Sequence, residues 1–207
     1  MAMENNKWTE VENEQPSGMT GRKRLKREYE SEYDVVWTDG LNKTYEYCGN
    51  WYVIELSDRD YHAYWLKQLG LVLLGTALMI VSILIPNAGG FHLYFMFPLV
   101  GAGVFQLMTL IETILCPWNP GRMEHMFYDE NYRKREKYAT LVPPICAAAA
   151  LACLIAVFVD GYAAQPVYYI PVVLLLAAAA AQYLALKMMR DLPVGQEVNE
   201  RVKRYML

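Results

Sequence analysis

The chain has 207 residues, 19 basic and 22 acidic, giving a net charge of −3 and a mean hydropathy of +0.08. These averages point to no nucleic-acid partner, and they hide two populations. Residues 1–62 are polar and charged, whereas four long apolar runs follow Lys67. That excludes a wholly soluble fold, since about 20 apolar residues cover roughly 30 Å of hydrocarbon as a helix.

Residues 1–32 are predicted to be a disordered tail, poor in packing residues. Within it "GRKRLKR" (21–27) places five basic side chains in seven. It reads as a contact for anionic lipid headgroups, as a nucleic-acid contact, or as a solvated charge run diluted by Glu28, Glu30 and Glu32. Residues 33–57 turn rich in Val, Trp, Tyr and Ile. Asp39-Gly40 is a type I′ hairpin signal, because that turn needs positive φ. Three strands are predicted at about 33–38, 42–48 and 51–56, forming a small β meander too slight to stand alone.

"SDRD" at 57–60 reads as a helix start, with Ser57 as cap and Asp58 and Asp60 in the first turn. The helix should run from about 58 to 85 and stop at Pro86. The spans themselves are expected at about 63–85, 92–115, 138–159 and 167–187. Pro117 and Pro120 should end the second helix. The linker 116–137 has Met123, Met126 and Phe127 at one-face helical spacing, as in a short helix lying on a membrane surface. Residues 191–207 form a short polar tail. The predicted fold is an all-α integral membrane protein of four transmembrane helices in two hairpins, with the β element before the first helix.

The basic residues set the expected topology. Neither 83–95 nor 157–169 contains Lys or Arg, while five basic residues lie between Arg122 and Lys137 and five between Lys187 and Arg204. Positive charge stays inside. Both basic-free gaps are therefore expected outside and both termini in the cytoplasm, in an inner cell membrane of bacterial style. No Cys is expected in an outer loop: Cys48 is placed inside, Cys116 at the inner boundary, and Cys146 and Cys153 in the third helix. A disulfide framework is not expected.

Chemistry-bearing residues are few. Glu112 is the carboxylate well inside a predicted span, about one turn from the inner end; it reads as half of an ion pair with Lys67 or Lys187, or as a coupling site. Gln106 and Gln182 read as interhelical hydrogen-bonding groups or as substrate contacts. Ala148, Ala152 and Ala156, and likewise Ala177, Ala181 and Ala185, recur every four residues, a spacing that lets membrane helices approach closely or self-associate. No phosphate-binding loop, HExxH or GxSxG pattern occurs. No cofactor, metal or catalytic residue is therefore assigned.

Besides the lipid bilayer, the expected partner is a membrane or cytoplasmic protein met on the inner side, docked through Trp37, Tyr45, Tyr47 and Trp51. The leading function is thus a non-enzymatic accessory or regulatory subunit. The alternative is a small transporter or channel acting as a homo-oligomer, through Gln106, Glu112 and Gln182. A third reading, a lipid-acting membrane enzyme, rests on Glu124, His125 and Asp129.

Overall fold

The computed structural model describes Tyr29 and residues 32–38, 42–86, 92–117 and 121–199. The basic cluster at 21–27, the Asp39-Gly40 turn, Pro120 and the last eight residues lie outside them. The chain divides into two compact units, Met1–Gly49 with Asn199–Leu207, and Asn50–Val198.

In the first unit, β1 (Tyr33–Thr38) and β2 (Asn42–Tyr47) form an antiparallel pair with Tyr33 opposite Tyr47 and Thr38 opposite Asn42. The ladder is closed by a bond from the Cys48 amide to the Glu32 carbonyl, 2.7 Å. Tyr33 and Tyr47 meet edge to face at 5.3 Å. The Asn199 amide donates to the Tyr47 carbonyl at 3.0 Å.

The second unit is mostly helix: α1 (Asp58–Leu84), α2 (Leu93–Leu115), α3 (His125–Tyr128), a π-helical turn (Asp129–Arg133), α4 (Lys134–Val159), a 3₁₀ turn (Pro166–Tyr169) and α5 (Ile170–Arg190). The predicted start signal operates. Ser57 accepts from the Asp60 amide at 3.2 Å, and Asp58 and Asp60 occupy the first turn. The helix ends at Leu84, just before Pro86. At the far end of α4, Gly161 takes φ +77°. Its amide bonds to Phe158 and that of Tyr162 to Val157, the pair of bonds that satisfies the last carbonyls of a helix and requires a left-handed residue.

The third β segment departs from the predicted meander. β3 (Trp51–Ile54) pairs not with β2 but with β4 (Val194–Glu197), Trp51 opposite Glu197 and Ile54 opposite Val194. Its other edge exchanges two backbone bonds with Met123, at 2.8 and 2.9 Å. The cause is the short link into α1, which holds β3 at the start of that helix. There it meets the exit of α5 and the segment after α2. Ile54 is buried with Tyr61, Trp65, Cys116, Met123 and Tyr132.

Four helices are long and apolar enough to cross a membrane. α1 packs along α5, α5 along α4 and α4 along α2, and α2 touches α1 more lightly. The buried positions of α1 are Tyr61, Trp65, Gln68, Val72, Gly75, Met79 and Ser82; those of α2 are Phe95, Leu99, Ala102, Gln106, Thr109 and Thr113. Steps of four and three alternate without a break, the seam of gently crossing helices. Outward faces carry exposed Leu73, Ile80, Phe97, Val100, Leu151 and Leu176. A water-facing bundle would carry charge there.

Candidate functional site: a polar interior at one end of the bundle

The interior changes character along its length. Farthest from β3 and β4 it is apolar: Phe95, Leu99, Ala149, Ala150, Ala152, Cys153, Val172 and Leu175. Next come Met79, Ala102, Val142, Cys146 and Ala178, contributed by all four long helices, with the Cys146 thiol 3.7 Å from the Met79 sulfur.

One layer on, polar groups converge on a single backbone carbonyl. Val72 O accepts from Thr76 Oγ1 of its own helix (2.8 Å), from Gln106 Nε2 of α2 (3.0 Å) and from Gln182 Nε2 of α5 (3.3 Å). Gln106 Nε2 also reaches Thr76 Oγ1 at 2.7 Å. The glutamines thus tie three helices together, as interhelical bonds do in lipid. Their Oε1 atoms are buried without partners, and Gln68, 0% exposed, has neither amide atom partnered. Gly75 makes the layer possible: a Cβ there would collide with the Gln182 amide.

The end layer is aromatic and charged. Trp65 Nε1 donates to Thr113 O at 3.2 Å. The hydroxyls of Tyr61 and Tyr132 are 2.9 Å apart, and Tyr61 also donates to Pro117 O at 3.0 Å. Tyr64 donates to Met188 O. Tyr52, Tyr128 and Tyr132 stack in series, at 4.6 and 5.5 Å. Four acidic groups here form ion pairs. Glu112 pairs with Lys134 at 2.6 Å, Glu136 with Arg190 at 3.0 Å, Asp129 with Arg133 at 3.5 Å and Glu197 with Arg122 at 2.9 Å. Lys134 is therefore the partner of Glu112, and the expected pairing with Lys67 or Lys187 does not occur. Both those lysines are exposed, because they sit outside the four-three seam of their helices.

Arg135, beside Lys134, behaves differently. It is 1% exposed, its Nε and Nη1 have no hydrogen-bond partner, and the Tyr132 ring lies 5.3 Å from the guanidinium carbon. Sequence reasoning missed both Arg135 and Gln68. The signal was present: Gln68 continues the series 61, 65, 68, 72, and Arg135 precedes buried Ala139 and Val142 by four and seven.

The small-residue rows are only partly interior. Ala152, Ala156, Ala181 and Ala185 are buried, whereas Ala148 and Ala177 are exposed. A row of every fourth residue winds about 40° around the helix at each step and leaves the contact face. Of the aromatic docking candidates, Tyr47 is buried and Trp51 half-buried. The side chains of Trp37 and Tyr45 lie outside the described residues. His125 Nε2 is 3.8 Å from Asp129 Oδ2 and stacks on Tyr52. No group of three His, Cys, Asp or Glu among the described residues is placed to hold a metal.

Two open grooves mark the surface of this unit. One, of about 510 Å³, lies between the start of α2 and the end of α4, lined by His92, Tyr94, Ala148, Leu151, Ala152, Ile155 and Val159. The other, of about 420 Å³, lies beside β3 and is lined by Trp51, Pro117, Gly121, Arg122, Met123, Glu124 and Phe127. Comparison with protein-family models, with curated proteins and with solved structures returned no match.

Proposed function

We propose that the chain is a multi-pass protein of the cell membrane, both termini in the cytoplasm, acting as a non-enzymatic accessory subunit. A partner protein seats an apolar anchor in the groove beside β3. The distribution of Lys and Arg supports the orientation, because 122–137 and 187–190 are basic whereas 83–95 and 157–169 contain no Lys or Arg. The observation that carries the docking role is the groove itself. Trp51 and exposed Phe127 offer apolar wall, Arg122 and Glu124 offer charge at the rim, and the backbone bridge between Tyr52 and Met123 holds the two walls together. Buried aromatic anchors ringed by polar groups are the usual carriers of interface energy.

The test is site-specific photo-crosslinking at Phe127 in native membranes. One discrete protein should be trapped, and Trp51→Ala should abolish the adduct while the helices still insert. An adduct unaffected by Trp51→Ala, or formed only with lipid, sinks the docking role.

A second reading, passage of a polar solute through an oligomer, is favoured by one observation: the partnerless oxygens of Gln106 and Gln182 and the partnerless amide of Gln68 inside the bundle. Liposome flux lost in Gln106→Leu, with assembly intact, would favour this reading over docking.

A further inference from the structure

We propose that Arg135 is the centre of an interior binding site for a phosphate-bearing anion at the β3–β4 end of the bundle. The argument is independent of the docking groove. A guanidinium does not lose its proton in a protein, and burying it unpaired costs several kcal/mol after relaxation. Arg135 is nevertheless among the most completely buried side chains of the chain, with Nε and Nη1 unbonded. Three carboxylates close to it in the sequence or on the facing helix have cations of their own: Glu112 with Lys134, Asp129 with Arg133, Glu136 with Arg190. The Tyr132 ring offsets part of the charge through its π face. Among the described residues, no carboxylate hydrogen-bonds Arg135 Nε or Nη1.

The surroundings say what kind of anion fits. The Lys134–Glu112 pair and the Trp65–Thr113 bond bring Lys134, next to Arg135 in the chain, and Trp65 to adjacent residues of α2. Gln68, the next buried residue of α1, sits one turn deeper with its amide unpartnered. The Tyr132 whose ring faces the guanidinium shares its hydroxyl with Tyr61 at 2.9 Å. A π-helical turn, Asp129–Arg133, leads directly into Arg135; such turns are rare and concentrate at functional positions. A phosphate group supplies several acceptor oxygens and the negative charge a guanidinium lacks. Basic pockets between helices near a membrane surface take phospholipid headgroups for this reason. A lipid headgroup and free phosphate share that chemistry.

The test uses the purified full-length chain in detergent, delipidated, and follows thermal unfolding while phosphatidylglycerol or inorganic phosphate is titrated against chloride at matched ionic strength. A site filled about a hundredfold above its dissociation constant should raise the unfolding temperature by about 5 °C or more. A saturable rise with phosphatidylglycerol alone assigns a lipid headgroup; a rise with inorganic phosphate assigns a soluble anion; either supports the site. The rise should vanish in Arg135→Met and shrink in Arg135→Lys, which keeps the charge and loses the planar fork. The site is overturned if neither anion exceeds chloride on the unmodified chain, a measurement that needs no variant to fold. An equal response in Arg135→Met also overturns it.

Discussion

The two halves of the bundle interior are held together by different means. Toward the end of α4 the core is Leu, Val, Phe and small residues in close contact. Toward β3 and β4 the same four-three seam carries Gln68, Gln106, Thr109, Thr113, Gln182, Tyr61, Tyr132 and Arg135. Where lipid surrounds the helices, apolar burial gives little drive for association, so packing and hydrogen bonds must supply it. The apolar half relies mainly on packing, with Ser82 bonded within its own helix and His92 meeting Asp160 at 2.9 Å at the rim. The polar half adds directional bonds, and with them groups whose hydrogen-bonding capacity is only partly met. Such incompletely satisfied interiors are where ligands or water find a place.

The contrast breaks most sharply at Gly75. Gly75→Val should cost about 3 kcal/mol, because the new side chain drives the Gln182 amide off the Val72 carbonyl. Shortening the partner in the double variant Gly75→Ala/Gln182→Ala should recover part of the loss of Gly75→Ala. Additive losses in a double-mutant cycle of detergent unfolding would show that the two residues do not interact. In the apolar half, Leu175→Ala should cost about 2 kcal/mol through a cavity that neighbours cannot fill, with no change in polar-ligand response.

Gln106→Leu should cost about 1 kcal/mol, since it removes two interhelical bonds but also a partnerless oxygen. If Gln106→Leu destabilises more than Leu175→Ala, the polar half is the stronger clamp and the comparison inverts. Smallest of all, Thr113→Val should shift stability by less than about 0.5 kcal/mol, because its hydroxyl bonds only the Thr109 carbonyl of its own helix. A larger effect would reveal a contact beyond that helix.

Much of the architecture was legible in the residues. Runs of apolar side chains announce the long helices because hydropathy sums along the chain and needs no knowledge of neighbours. Ser57, Asp58 and Asp60 announce where α1 begins, and Pro86 and Pro117 lie just past the ends of α1 and α2. The antiparallel pairing of β1 with β2 matches strands expected at about 33–38 and 42–48. The candidate site was less legible. Gln106 and Gln182 stood out as polar residues in apolar runs, whereas Gln68 and Arg135 sit near span ends, where polar residues are common and burial is the exception.

By itself the sequence determined the number of long apolar helices and where α1 and α2 end, because each depends on local composition and chain direction. Only the tertiary structure decided that β3 pairs with 194–197, that Glu112 takes Lys134, and that three helices meet at the Val72 carbonyl. Those outcomes turn on which faces of distant segments come together. A side chain's partner is set by rotation about the helix axis, about 100° per residue, and a shift of one residue in that contact would have given Arg135 to solvent instead of to the interior.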